Sequence, residues 1–162
     1  MIKIGVLADT HIPSKAKELP EFLIDKFKDV DHIIHAGDIV SLSVIHKLET
    51  LAPVTVVAGN VDPLEVREQL GETKIVSFRR FRFGIFHGHG SKGNTLGRAV
   101  ACFNDDPVDC IIFGHSHIPY CAYHDQILLF NPGSPTDKRR NKQYSLGIIE
   151  CYHTINAQLV YF

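Results

Sequence analysis

The stretch IKIGVLADTH, residues 2–11, is a short apolar run rich in β-forming residues that ends in Asp9, Thr10 and His11. Four more runs of this kind predict strands, and each is followed within two residues by Asp, Asn or His: DHIIHA (31–36), PVTVVA (53–58), FRFGIF (81–86) and DCIIF (109–113). Helical patterns lie between them, at 18–30, at 41–51 with Ser41 as the expected N-cap, and at 91–104. Alternation of strand and helix predicts an α/β fold.

The other β-rich runs pair with a neighbour through short connections, so we expect hairpins. These pairs are 74–78 with 81–86, 120–124 with 127–130, and 144–150 with 155–162. Hairpins are antiparallel, so the sheet, or pair of packed sheets, should be mixed. A length of 162 residues is near that of one domain, and we predict a single domain over residues 1–162.

The composition argues against several classes of protein. A net charge of −1 produces no global attraction to nucleic acid or an anionic membrane. No run approaches the ~18 apolar residues that a membrane helix needs, and the first residues suit a strand better than a secretion signal. We therefore expect a cytoplasmic protein with reduced cysteines. The sequence leaves open whether the chain forms a homodimer.

The polar residues at the five strand ends should converge, because ligands in α/β sheets bind outside the carboxyl ends of strands. In extended chain, residues two apart point the same way, so Asp9 should act with His11, and His115 with His117. Flanking glycines allow the backbone to approach the site closely. The residues expected to meet are Asp9, His11, Asp38, Asn60, His87, His115 and His117.

This mixed nitrogen and oxygen set suits Mn, Fe, Zn, Ni or Co better than Ca or Mg. Seven ligands are too many for one ion but enough for two divalent ions that share an aspartate. Two such ions, two aspartates and a bridging hydroxide leave a net charge of roughly +1, which attracts an anion. Paired metals that share a hydroxide are suited to phosphoester hydrolysis.

Five motifs stand in a fixed order: Asp9-x-His11, Gly37-Asp38, Gly59-Asn60, His87-Gly88-His89 and Gly114-His115-Ser116-His117. In this the chain resembles the calcineurin-like metallophosphoesterases, and it is most similar to the small single-domain phosphodiesterases of bacteria and archaea. The resemblance covers nearly the whole chain, including the element Asn131-Pro132-Gly133-Ser134.

The resemblance implies a two-layered mixed β-sandwich flanked by helices, with two metal ions at the strand ends. One ion would be held by Asp9, His11, Asp38 and His117. The other would be held by Asp38, Asn60, His87 and His115, with Asp38 as the bridge. Asp38, Asn60 and His87 are the expected catalytic residues, a small phosphodiester is the expected substrate, and Mn²⁺ is the metal of first choice.

The chain departs from larger family members, which read G-N-H-E where this chain has Gly59-Asn60-Val61-Asp62. Val61 cannot donate a proton, so we expect poor turnover of phosphomonoesters, and His89 is the candidate for a partial substitute. The chief alternative function is a protein-binding scaffold, because the retromer scaffold subunit keeps this fold with a degraded site. A nuclease would need a basic track that the sequence lacks.

Other polar residues have less specific interpretations. Asp62 either caps the helix that follows Pro63 or supports a ligand, and His35 is either a structural histidine or hydrogen-bonds a ligand. Asn131 and Ser134 should be turn residues under the site, and Arg139 and Arg140 should lie in a solvated loop. The remaining histidines are expected to be structural or surface residues: His32, His46, His124 and His153.

Overall fold

The computed structural model describes all 162 residues as two five-stranded sheets and four helices. The strands are β1 (Ile2–Leu7), β2 (His32–His35), β3 (Val54–Val56), β4 (Thr73–Phe78), β5 (Phe81–Phe86), β6 (Cys110–Ile112), β7 (Tyr120–His124), β8 (Ile127–Asn131), β9 (Ser145–Cys151) and β10 (Ile155–Tyr161). The helices are α1 (Glu21–Phe27), α2 (Ser43–Glu49), α3 (Leu64–Leu70) and α4 (Thr95–Cys102).

Both sheets are mixed, as predicted. The first has the order β10-β9-β1-β2-β3, in which β1, β2 and β3 are parallel and β9 and β10 are antiparallel. The second has the order β4-β5-β6-β8-β7, in which β5, β6 and β8 are parallel and the outer strands are antiparallel. All three predicted hairpins form, as β4-β5, β7-β8 and β9-β10.

The main core lies between the sheets and follows from alternation along each strand. Ile4 and Val6 of β1 belong to the core that faces the second sheet, whereas Leu7 belongs to the layer beneath α1 and α2. Helix α1 packs close to β1, since a Cβ on Gly5 would lie 2.8 Å from the Phe27 ring. Helix α4 covers the second sheet through Ala99. The two-layered α/β sandwich with flanking helices is therefore confirmed.

The helices are shorter than the periodicity suggested. Helix α1 begins after Pro20, because a proline disfavours helical conformation in the residue before it. The expected N-cap Ser41 is wrong: Leu42 holds that position without a side-chain cap. Helix α4 begins after Asn94, whose side chain accepts the Gly97 amide. None of the helices combines the length and hydropathy required to cross a membrane.

Candidate metal centre

Six of the seven predicted ligands meet at the strand ends, in two adjoining groups. Within each group the metal-ligating atoms all lie within 4.8 Å of one another. The first group is Asp9, His11 and His117, and the second is Asp38, His87 and His115. Five of these side chains are buried and His115 is half-buried. Residues up to 108 positions apart in the sequence thus form one cluster.

Asp38 lies between the two groups. Its Oδ2 is 3.0 Å from His87 Nε2 and 3.7 Å from His11 Nε2. Asp9 is similarly central, because its Oδ1 is 3.3 Å from His117 Nε2 and 3.7 Å from both His11 Nε2 and His87 Nε2. A carboxylate that contacts histidines of both groups is placed to bridge two cations.

The backbone brings these side chains together in a way that the sequence argument did not foresee. We expected extended chain, but Asp9 and His11 have φ values of 55° and 44°, and His115 and His117 have 66° and 59°. Asp38 is also left-handed, with φ of 59°. The expectation of extended backbone is therefore wrong, although Asp9 and His11 still share one group, whereas His115 and His117 belong to different groups. Each ligand pair lies in a tight turn beyond its strand, in a conformation rare for residues other than glycine.

The imidazole hydrogen bonds show that the cluster fits a cation. His87 Nδ1 donates to the Ala36 carbonyl at 2.7 Å, and His117 Nδ1 donates to the Asp137 carbonyl at 2.6 Å. In neutral rings each Nε2 then presents a lone pair to the cluster, and His87 Nε2 has no hydrogen-bond partner although Asp38 Oδ2 is near. Asp9 Oδ1 is likewise buried without a hydrogen bond. Facing lone pairs of this kind need a shared proton or metal ion.

The titration behaviour reflects the same packing of opposite charges. Burial opposes charge on His87, but Asp38 and Asp9 outweigh burial and raise the pKa of the imidazole. Burial also acts to raise the pKa of Asp9, yet contacts with His11 and His117 hold this pKa well below its ordinary value. Both carboxylates are therefore ionised near neutral pH and available as ligands.

Asp62 supports the cluster and does not cap α3. Pro63 is the N-cap residue of that helix, without a side-chain cap. The buried Asp62 carboxylate instead accepts the backbone amides of Asp38 at 3.1 Å, Val40 at 2.7 Å and Gly59 at 2.7 Å. The supporting role is thus the correct one of the two considered.

His35 is fully buried and hydrogen-bonds the Thr10 side chain and the Gly37 backbone, not a ligand side chain. Its ring contacts Thr10 Oγ1 at 3.0 Å and accepts the Gly37 amide at 3.2 Å. Burial is the main reason that its pKa falls to about 3. His35 is therefore neutral and joins the loops that hold Asp9 and Asp38.

The end of β8 and the segment after it support the floor of the site, as predicted, although Asn131 is the last residue of β8 and not a turn residue. Asn131 Nδ2 donates to the Gly114 carbonyl at 2.9 Å, and Ser134 Oγ donates to the Asp9 carbonyl at 2.8 Å. Sequence reasoning missed Thr136, whose hydroxyl donates to the Thr10 carbonyl at 2.7 Å. The dense run of polar and turn residues at 131–137 was the available signal.

Asn60 stands apart from the other predicted ligands. It is exposed in the turn after β3 and lies between Gly59 and Val61, whose amides bond Asp62 and Asp38 respectively. His89 is half-buried, with its ring centroid 5.7 Å from that of His87 and its Nε2 3.8 Å from Glu72 Oε2. Asn60 is beside the Asp38 loop, and its role as a ligand stays a prediction.

The residues predicted to be structural or solvent-exposed occupy such positions. Arg139 and Arg140 are exposed, as are His46, His124 and His153. His32 is half-buried and bonds Thr55 Oγ1 at 2.8 Å. None of these histidines enters either metal-binding group.

The chain is similar to known proteins over most of its length. A family model described as the calcineurin-like phosphoesterase superfamily domain matches residues 2–154. The chain belongs to this superfamily. It is 39% identical over 142 residues to a protein of Methanothermobacter thermautotrophicus named a probable metallophosphoesterase, covering 84% of this chain and 78% of that protein.

Two further similarities are to a named relative and to a solved structure. The chain is 31% identical over 146 residues to a protein of Methanocaldococcus jannaschii named a phosphodiesterase, covering 82% of this chain and 83% of the relative. The structure of Vps29 from Entamoeba histolytica, complexed with Zn²⁺, aligns with a TM-score of 0.80 at 22% identity, covering 99% of both chains. The Vps29 likeness shows the fold alone.

Proposed function

We propose that this superfamily member is a metal-dependent phosphodiesterase that uses two divalent ions, with residues 1–162 acting as one domain. The observation that carries the proposal is the position of Asp38 Oδ2 between His87 and His11, in two adjoining groups of ligands. A relative named a phosphodiesterase supports the choice of substrate class. Mn²⁺ is the metal that we would test first, followed by Zn²⁺, Ni²⁺, Fe²⁺ and Co²⁺.

The ligand sets follow the family pattern. Asp9, His11, Asp38 and His117 would hold one ion, and Asp38, Asn60, His87 and His115 the other. When bound, the ions would lower the pKa of a shared water and supply positive charge for the phosphorane-like transition state. The fixed rings of His87 and His117 keep their Nε2 atoms aimed into the cluster, because their Nδ1 atoms are held by backbone carbonyls.

The absence of a proton donor at position 61 narrows the range of substrates that we expect. Val61 is 47% exposed beside Asp38, to whose Oδ1 its amide donates at 3.0 Å. A valine side chain neither protonates a leaving alcohol nor hydrogen-bonds a phosphate oxygen. We therefore favour diesters with stable leaving groups over monoesters, and small substrates over nucleic acids, since the net charge is −1.

The test measures metal content and hydrolysis of bis(p-nitrophenyl) phosphate, with and without added Mn²⁺. Asp38→Asn keeps an oxygen for the Val61 amide but removes the charge, so the fold should persist while metal content and turnover are lost. The loss should exceed the about 10–100-fold that removal of an outer hydrogen-bond partner costs. Asp105→Ala is the matched control, because Asp105 is an exposed carboxylate outside both groups. Full turnover in Asp38→Asn would reject the proposal.

The second candidate function is a protein-binding scaffold, and the fold shared with Vps29 favours it. The two functions differ in one outcome of the same experiment. A scaffold would bind metal and lose it in Asp38→Asn, yet the wild-type protein would hydrolyse no diester with any of the five metals. The complete set of carboxylate and imidazole ligands supports the enzyme.

A further inference from the structure

An apolar pocket of about 280 Å³ lies beside the loop that carries His115 and His117. Four of its lining residues are apolar or aromatic: Leu96, Phe113, Ile118 and Tyr120. The rings of Phe113 and Tyr120 lie with centroids 6.4 Å apart at an angle of 50°. No charged residue lines the pocket, and the guanidinium of Arg98 behind it is engaged by three backbone carbonyls and by Thr95 Oγ1.

One side of the pocket is continuous with the loop that contains two predicted ligands. Ser116 lines the pocket and lies between His115 and His117 in the sequence. Its Oγ accepts from Asn131 Nδ2 at 3.1 Å, and the same amide group donates to the Gly114 carbonyl. This side of the pocket is therefore held by the same bonds that hold the loop of the metal centre.

A second side of the pocket lies against the turn that follows His87. A Cβ on Gly88 would meet Thr95 Cγ2 at 2.8 Å and the Gly114 carbonyl at 3.8 Å, so the pocket residue Thr95 packs directly on this turn. Arg98 fastens the contact, because it donates to the Gly88 carbonyl at 2.8 Å and to Thr95 Oγ1 at 3.2 Å. Both sides thus meet residues next to ligands of the second group.

The pocket and the metal centre differ in charge, so they favour different parts of a substrate. An anionic phosphate would lose its hydration in the uncharged pocket without compensation. An uncharged ester arm would instead gain by leaving water, and it would cover Ile118, which is 59% exposed. A larger pocket of about 380 Å³ contains Asp105 and Asp106, whose carboxylates repel a phosphodiester.

We infer that the pocket beside Ser116 binds one uncharged apolar arm of the phosphodiester, which makes diesters with an aryl or compact alkyl group the preferred substrates. This inference rests on the proposed function, because it takes the phosphate to lie at the metal centre. The pocket is at the small end of the ~300–1,000 Å³ usual for ligand sites, so it takes a group of about one ring. Leu96 and Ile118 are the specificity-determining residues.

The test compares phenylphosphonate with methylphosphonate, which share one anionic group and differ only in the apolar arm. Their P–C bonds are not hydrolysed, so isothermal titration calorimetry of the Mn²⁺-loaded protein reads binding alone. Burial of a ring-sized group corresponds to a factor of roughly ten to a hundred in affinity. We expect phenylphosphonate to bind at least about tenfold more tightly.

Leu96→Asn and Ile118→Ser should each reduce this preference, and the two together should remove it. Ile118 is exposed, so its replacement leaves the core intact, whereas Leu96 packs against the core beneath α4, so circular dichroism must first show that its variant is folded. Tyr152→Ala, which removes an equally exposed apolar ring far along the chain in the β9-β10 turn, is the control and should keep the full preference.

Equal affinity for the two phosphonates, no binding of phenylphosphonate, or an unchanged preference in the double variant would overturn the inference. These outcomes are separate from those of the diesterase assay. A protein that hydrolyses diesters without a preference for the phenyl arm retains the proposed function and loses the inference. A protein with the preference but without turnover of any diester retains the binding pocket and loses the proposed function.

Discussion

Replacement of Asp62 by asparagine should loosen Asp38 without removing any predicted ligand. Asp62 Oδ2 accepts the amides of Asp38 and Gly59, and Oδ1 accepts that of Val40. Asparagine has one acceptor oxygen, so at best it retains two of these bonds and turns its NH₂ group towards the Val40 amide. One unpaired buried donor costs about 1–3 kcal/mol of the free energy of unfolding. Asp62→Ala loses both acceptor oxygens and so leaves all three amides unpaired, which should cost about three times as much.

Equilibrium urea unfolding measures this loss, and titration with Mn²⁺ measures its effect on the site. Outer partners that orient a ligand are worth about 10–100-fold in metal affinity, and we expect a loss of that size in Asp62→Asn. Asp109→Asn is the matched control. Its carboxylate also accepts a backbone amide, that of Arg82 at 2.7 Å, but at the amino end of β6, away from the ligands that follow this strand. Wild-type stability and metal affinity in Asp62→Asn would refute the reasoning.

Three further changes test the loops around Asp38. In Gly59→Ala the added Cβ would lie 2.0 Å from Asp38 Oδ1, so elemental analysis should find the protein largely without metal, and normal metal content would contradict the close packing. His35 is neutral in the folded protein with its pKa lowered to about 3, mainly by burial, so the unfolded chain takes up the extra proton as pH falls below about 6.5. Between pH 7 and 5 the free energy of unfolding of the wild type should therefore fall by about 2 kcal/mol more than that of His35→Asn. Urea unfolding that shows the same pH dependence in both proteins would be the contrary result. Val61→His places an imidazole beside Asp38. Because proton transfer by a side chain accelerates a reaction about 10²–10⁴-fold, the ratio of p-nitrophenyl phosphate turnover to diester turnover should rise about tenfold or more. An unchanged ratio would show that this position does not reach the leaving group.

The sequence predicted the convergence of the ligands because that property depends on strand ends, which apolar runs define well. The runs that end at Ala8, Ala36 and Phe113 each place their polar residues at one edge of a parallel set of strands. The hairpins were equally predictable, since short connections leave antiparallel pairing as the only choice. Period-two patterns and turn lengths are local, and local features can be read without coordinates.

Features that depend on distant contacts were beyond the sequence. Helix capping and loop support both fit an aspartate before Pro63, and only the positions of the Val40 and Gly59 amides decide for support. The sequence also does not say that β8 inserts beside β6, since many strand orders satisfy the same hairpins. The apolar pocket was missed for the same reason, because Leu96 of α4 and Ile118 of the β6-β7 loop meet only in the folded protein.

The left-handed turns explain why so many outer hydrogen bonds surround the ligands. The left-handed conformation costs about 1–3 kcal/mol for each non-glycine residue, and both Asp9 and His11 adopt it. The fold over-determines this loop, because the Asp9 and His11 amides donate to the Gly37 and Asp38 carbonyls at 3.0 Å. Ser134 Oγ then binds the Asp9 carbonyl from the opposite side. A chain without these bonds would relax to an extended loop, and its carboxylates and imidazoles would no longer share a centre.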